Sequence, residues 1–333
     1  MTPPSRILVC SLNWLGDAIM SMPALQALRA RHADADITLL TQPGLAPLWT
    51  MHAAPTRVLS LPRPGESLKP IVHLLRGLLF EVSYILPHSF RSAIPPFLAR
   101  IPKRIGLPGH FPRDFLLTEV RPPAFGPGRS HQVFEMLDLF FPGQDLRTYD
   151  PPQVSVNPQI LDRMRRKIAP LPLPWFSFLP GAARGPSKQW PAERYAEAAA
   201  ALVARTGGSC IVLGTQAEHP VCQQVADAAP NALNLAGQTS MEELAAAISL
   251  SSAVLCNDSG GMHLSAALGT PLVALYGITN PDQTGPLGTR IRILQRSDRR
   301  TRDIPRRSPE ADNALRAISA PEAVHAALDL LSP

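Results

Sequence analysis

Long apolar runs are missing from this chain of 333 residues: nothing approaches eighteen consecutive apolar positions, and Met1 to Arg6 lacks the cationic and apolar regions of a secretion signal. No membrane-spanning helix is expected, and the cytoplasm is the expected compartment. Cysteine is scarce. The four present, at 10, 210, 222 and 256, form no C-x-x-C pair, and three sit in apolar runs as small core residues. Disulfides and a structural zinc are therefore not expected. Aromatics are few, with four Tyr and four Trp, and none interleaves with the arginines near the C-terminus as a nucleic-acid stacking platform would. Neither the dinucleotide signature G-x-G-x-x-G nor a Walker A loop occurs. In the one lysine-bearing loop with a superficial likeness, Ser187 and Gln189 flank Lys188 where Gly and Ser or Thr are needed. The net charge of +6 points to an anionic partner without naming it.

What is present is an alternation of strand and helix patterns, run through twice. In the first half, strands are expected at 7–10, 37–41, 58–61, 82–86 and 104–106, with helices at 18–31, 68–79 and 131–141. The second half restarts with strands at 175–179, 210–213, 253–257 and 272–276. Helices are expected at 192–204, 218–228, 241–248 and 260–268. Residues 142–174 are proline-rich, with room for one short helix at 160–168, and read as a linker. The division is then 1–150 for a first Rossmann-like domain, 175–320 for a second, and 321–333 for a C-terminal helix. Strands alternating with helices predict an α/β fold of two parallel sheets facing across a cleft.

Three loops at carboxyl ends of expected strands carry candidate chemistry. Ser259, Gly260 and Gly261 follow an apolar strand and open a helix, where backbone N–H groups and the positive helix end can seat a phosphate. Asp258 can orient a hydroxyl there, and His263 stands one turn into the helix. The plain alternative is a helix start capped by Asp258 or Ser259. The second loop, Ser11 to Asp17, follows the first strand and places Asp17 at a helix entrance, as a functional acid or a cap. In the third, Lys188 leaves the first strand of the second half, as a point charge on a phosphate or as a surface lysine.

Taken together, Asn13-Trp14-Leu15-Gly16-Asp17-Ala18, Pro180-Gly181 through Lys188-Gln189-Trp190-Pro191, and Asn257-Asp258-Ser259-Gly260-Gly261-Met262-His263 resemble the ADP-heptose:lipopolysaccharide heptosyltransferases, nearest to the type II members. His88 to Ala93, Lys103 to Gly106, and Leu275-Tyr276-Gly277 with Pro281-Asp282 agree in order. The resemblance implies a GT-B-like fold, with 1–150 as the acceptor-side domain and 175–320 as the ADP-heptose-binding domain, and inverting transfer of heptose from ADP-L-glycero-D-manno-heptose to the lipopolysaccharide inner core. Asp17 matches the family's base on the acceptor hydroxyl. Lys188 and the N–H groups at 259–261 would stabilise the ADP leaving group, so that no cofactor or metal is required. Donor binding falls to Ala183, Lys188, Glu218, Asp258, Ser259, Gly260, Gly261 and His263. Glu218 resembles the residue holding the adenosine ribose, or is simply an early-helix acid.

Acceptor contacts are assigned to Asn13, Trp14, Arg91, Lys103 and Arg104, with the acceptor met at the cytoplasmic face of the inner membrane by peripheral contact. Two features depart from the pattern. Relatives often carry an acid at the place of Ala183, and many have a Cys- and His-bearing segment where this chain reads Arg296 to Arg307 with six arginines and no cysteine. Those arginines can meet phosphates or form a solvated loop. A heptosyltransferase paralogue with another core acceptor and a sugar-nucleotide epimerase are the competing readings.

Overall fold

Runs such as Ile7-Leu8-Val9 and Val254-Leu255-Cys256 are wholly buried, which is the pattern of parallel strands covered on both faces. In a computed structural model, which describes residues 4–124, 131–144, 148–301 and 304–331, the chain divides into two compact units, Met1–Val154 and Ser155–Pro333. The first contains β1 (Arg6–Cys10), α1 (Leu15–Met20), α2 (Met22–Arg31), β2 (Asp36–Thr41), α3 (Ala46–Thr50), β3 (Arg57–Ser60) and α4 (Lys69–Gly77). It continues with β4 (Val82–Ile85), α5 (Phe90–Leu98), β5 (Lys103–Gly106), β6 (Glu119–Val120) and α6 (Gln132–Phe140). The second contains α7 (Pro158–Ile168), β7 (Trp175–Leu179), α8 (Ala192–Thr206), β8 (Ser209–Val212), α9 (His219–Asp227), β9 (Leu233–Asn234) and α10 (Met241–Ser249). It closes with β10 (Ala253–Asn257), α11 (Gly260–Ala267), β11 (Leu272–Tyr276), α12 (Pro281–Thr284), β12 (Ile291–Gln295), α13 (Pro309–Arg316) and α14 (Ala320–Asp329).

Each unit holds one six-stranded parallel sheet, ordered β3-β2-β1-β4-β5-β6 and β12-β11-β10-β7-β8-β9. Counted from its own first strand, the second order is the first read backwards, so both are the 3-2-1-4-5-6 arrangement of a Rossmann fold. The strand order reverses between β1 and β4 in one unit and between β7 and β10 in the other. Ligands of such sheets bind outside the carboxyl ends of those strands.

Local signals set the helix ends. Ser240 with Glu243 and Ser319 with Glu322 form reciprocal capping boxes at α10 and α14. Gly207, at φ 70°, ends α8 in the left-handed conformation. The helix expected over 18–31 is instead two. Ser21 interrupts it, its hydroxyl donating to Ala18 O at 2.7 Å, and Pro23 then opens α2 without an N–H to continue the ladder. Helix α5 was not expected, because Pro95 and Pro96 lie inside it. Helix α7 packs on α10 and α14 on α8, so both belong to the second unit.

In the first unit Gln26 of α2 ties down the end of the chain, donating to the Asp150 and Pro151 carbonyls at 3.3 and 3.1 Å. Its Oε1 accepts from Gln153 N at 3.2 Å and lies 3.3 Å from His52 Nε2. Ala54 N–H donates to His52 Nδ1, which fixes the neutral ring with its proton on Nε2. Burial pushes this imidazole down to about 4. All four cysteines are buried free thiols, pushed up to about 12 chiefly by burial.

Candidate active site

The second unit brings four of its carboxyl-edge loops together. Asn257, the last residue of β10, is fully buried, and its amide uses all four hydrogen-bonding positions. Its Oδ1 accepts from Trp190 N and Tyr195 OH, both at 2.9 Å, while Nδ2 donates to the carbonyls of Pro180 and Gly181 at 2.8 and 3.2 Å. One side chain therefore clips both ends of the loop after β7 to the end of β10, across the switch point. Sequence reasoning missed this role, since an asparagine before Asp258 carries no local mark of it.

Asp258 is the next residue, and its carboxylate is buried. Its Oδ2 accepts from Lys188 Nζ at 2.5 Å and from Thr279 Oγ1, in the loop after β11, at 2.6 Å. Lys188 and Asp258, assigned together from sequence to donor binding, are thus an ion pair in which the side chains are 12% and 7% exposed. Neither Asp258 nor Ser259 caps α11. Ser259 occupies the N-cap position, but its hydroxyl lies 3.3 Å from Cys256 Sγ and makes no bond to the helix. The first N–H groups of α11, at Gly260 and Gly261, have no acceptor within the helix and are not served by a capping side chain. His263 stands in the same first turns, buried. An anion at this mouth would meet helix N–H groups and an ammonium together.

Gly261 has a reason of its own to lack a side chain. A Cβ there would stand 2.3 Å from Leu179 Cδ2, so the helix packs against the end of β7 at that point. Its approach is to the protein interior, and the ligand reading rests on its N–H alone. Glu218 reaches the same edge from the loop after β8. Its Oε2 accepts from Thr215 N and Oγ1 at 2.8 and 2.9 Å in a capping box, and Oε1 is so close to Gly181 that a Cβ would overlap it. Ala183 is exposed in the loop after β7.

The arginine-rich stretch is not a uniformly solvated loop. Arg296 is paired with Glu322 and Arg299 with Glu310, while Arg306 packs on Gly185 and accepts from Ser187 N at 3.4 Å through its carbonyl. Gly185, at φ 102°, can hold this contact because a Cβ would meet the Arg306 side chain at 2.6 Å. Arg302 lies outside the described residues.

In the first unit the switch point carries Asp17 in the first turn of α1, after β1, and Arg91 in the first turn of α5, after β4. Asn13 and Trp14 lead into α1, with Trp14 56% exposed. Lys103 and Arg104 do not join them. Lys103 pairs with Val82 and Gly106 with Ile85, so Lys103 stands three residues, about 10 Å, from the carboxyl edge. Arg104 is engaged below it, donating to the Leu116 and Ile101 carbonyls at 2.7 and 2.6 Å. A different arginine supports the edge. Arg113, fully buried, donates to the Leu107 and Ile85 carbonyls at 2.6 and 3.0 Å and pairs with Asp114, and burial lowers its pKa.

A family model described as glycosyltransferase family 9 (heptosyltransferase) matches residues 70–312. The chain belongs to glycosyltransferase family 9. The family 9 match spans nearly all of α4 through the first half of α13, including Lys188, Asp258 and Glu218, and stops short of Asp17. Lipopolysaccharide heptosyltransferase 2 of Escherichia coli K12 is 32% identical over 308 residues, 87% of this chain and 88% of the relative. Lipooligosaccharide heptosyltransferase 2 of Haemophilus influenzae is 30% identical over 317 residues, covering 87% and 88%. The solved structure of E. coli ADP-heptose lps heptosyltransferase II superposes with a TM-score of 0.84 at 29% identity, covering 98% of both chains. The two Rossmann-like units are those of a GT-B glycosyltransferase, and this family 9 member is an enzyme of that class.

Proposed function

We propose that this family 9 enzyme transfers heptose from ADP-L-glycero-D-manno-heptose, with inversion, to a lipopolysaccharide inner core already carrying one heptose. The observation that carries the reading is the Lys188–Asp258 pair beside the uncapped start of α11, at the switch point of the second unit. It offers an ammonium and helix N–H groups to a diphosphate, whose charge grows as the bond to the sugar breaks. Asp258 holds the ammonium in place, and Glu218 and His263 are assigned to ribose and sugar hydroxyls. In the first unit Asp17 takes the proton of the attacking acceptor hydroxyl, with Asn13, Trp14 and Arg91 on the acceptor. Charge stabilisation by the protein makes a metal dispensable. The acceptor is lipid-anchored, so the enzyme works by peripheral contact at the cytoplasmic face of the inner membrane.

The test is a transfer assay with ADP-heptose against cores truncated at successive sugars, run with and without a chelator. Product only from a core carrying one heptose, at equal rates in both buffers, is expected. Product from a heptose-free core would move the enzyme to another acceptor. Conversion of ADP-heptose without any acceptor would make it an epimerase, a reading that heptosyltransferase relatives of nearly full length do not favour.

A further inference from the structure

Helices α4 and α5 end near each other at the amino edge of the first sheet, where β4 and β5 begin and Val82 stands opposite Lys103. Both ends share an anomaly. Leu79 and Arg100, just past their helices, have φ of 52° and 61°, a conformation that glycine adopts at little cost and other residues do not. Both side chains point to solvent, Leu79 with 62% exposed. Leu74, Phe97 and Leu98 beside them are 43%, 42% and 41% exposed. The surface is held as one piece: Arg76 of α4 donates twice to Leu98 O of α5, at 3.1 and 2.7 Å, and the Arg104 guanidinium lies 5.4 Å over the Phe97 ring. Between residues 68 and 104 the bases at this edge are Arg76, Arg100, Lys103 and Arg104, against one acid, Glu81, whose carboxylate accepts from Ser5; Lys69 and Arg91 open α4 and α5 at the other edge.

We infer that this face docks on an anionic lipid bilayer, its leucines and phenylalanines entering the headgroup region while Arg100 and Lys103 meet lipid phosphates. Isolated exposed apolar residues are ordinary, but four on one basic face, with Leu79 and the neighbouring Arg100 both held at strained helix ends, are a built surface. Apolar side chains ringed by arginine and lysine are the composition of an interfacial contact. Like charges would repel a second copy of the same face. The inference gives the peripheral contact proposed above a location and rests on that reading, and it places Lys103 on the bilayer rather than on the acceptor. The face lies at the opposite edge of the sheet from Asp17.

The test is co-sedimentation of the full chain with phosphatidylcholine vesicles, with and without a one-third share of phosphatidylglycerol. The wild type should bind the anionic vesicles at least tenfold better, and lose them in high salt. In the double variant Leu79→Gly with Arg100→Gly both substitutions suit the positive φ, so the melting temperature should hold or rise. Its vesicle affinity should fall at least tenfold, about fivefold of it from the lost basic charge. Transfer to a delipidated, water-soluble core acceptor should stay at the wild-type rate. Equal vesicle binding by variant and parent would overturn the inference, as would equal binding to neutral vesicles. So would a dimer split by the variant with vesicle binding unchanged. Failure of the heptosyl reading looks different: neither protein would transfer to the soluble acceptor, whatever the vesicles show.

Discussion

Removing one partner of the Lys188–Asp258 pair should separate what the pair does for the fold from what it does for the donor. Asp258→Asn leaves an ammonium that is 12% exposed with no counter-ion, and Lys188→Met leaves a nearly buried carboxylate with only the Thr279 hydroxyl. Breaking a buried pair from one side costs about 3–5 kcal/mol, and the residual exposure here argues for about 3. For a domain the size of Ser155–Pro333 that lowers Tm by roughly 6–12 °C. The double variant has no orphaned charge, and its amide can still accept from Thr279. Its stability should return to within about 1 kcal/mol of the parent, which with singles of about 3 kcal/mol each makes a coupling of about 5 kcal/mol in the cycle. ADP affinity should behave otherwise. It should fall at least tenfold, about 1.4 kcal/mol, in every protein lacking Lys188, and the double variant should not recover it. Denaturant titration and calorimetry with ADP on the four proteins read both quantities. A double variant that binds ADP as the parent does would refute the donor role of Lys188, and single variants within about 0.5 kcal/mol of the parent would refute the buried pair.

Other outcomes follow from the same geometry. Asp17→Asn should slow transfer by about 10²–10⁴-fold with ADP affinity unchanged, since the amide keeps the shape but cannot take a proton; a rate above a third of wild type would reduce Asp17 to a helix-end acid. Asn257→Ala should cost about 3 kcal/mol or more, because four buried partners lose their bonds at once, and should weaken ADP binding by freeing the loop that carries Lys188; a stable variant with normal ADP binding would contradict the clip. Gly261→Ala should lower Tm through Leu179, so its cost should largely vanish when it is made in a Leu179→Ala background and compared with that background; an unchanged cost there would point to another cause. His52 titrates near 6.5 when unfolded and about 4 when folded, so its contribution is full above pH 6.5 and lost as pH falls toward 4, up to about 3 kcal/mol. Relative to His52→Gln, the wild type should lose stability over that window; parallel curves would show that the fold does not lower the pKa of this ring.

The fold was legible where the sequence signal is itself the cause. Apolar runs such as Trp175–Leu179 and Leu272–Tyr276 can only be strands covered on both faces, and their alternation with helical patterns fixes the class. Strand β12 escaped because its residues are half exposed at a sheet edge, and α5 because prolines 95 and 96 read as breakers. The position of Asp17, Lys188 and Asp258 beyond the carboxyl ends of strands was legible, because each follows an apolar run that can only be a strand. That Lys188 and Asp258 touch was not, since the contact joins positions seventy apart. Lys103 and Arg104 illustrate the limit. Their neighbourhood in sequence says nothing of which edge of the sheet they occupy, and strand direction decides it.

The repeated strand order has a practical consequence. Each half closes its own core around its own switch point, and the chain passes from one to the other at Val154 and Ser155. That peptide bond is a seam at which relatives can be recombined. On the proposed division of labour, a chimera with another first half would import different acceptor-facing loops, while the amide of Asn257 kept the loops at the carboxyl edge of the second sheet in place. Under that proposal, selection on what is glycosylated would act on one half of the gene without retuning the half assigned to the donor.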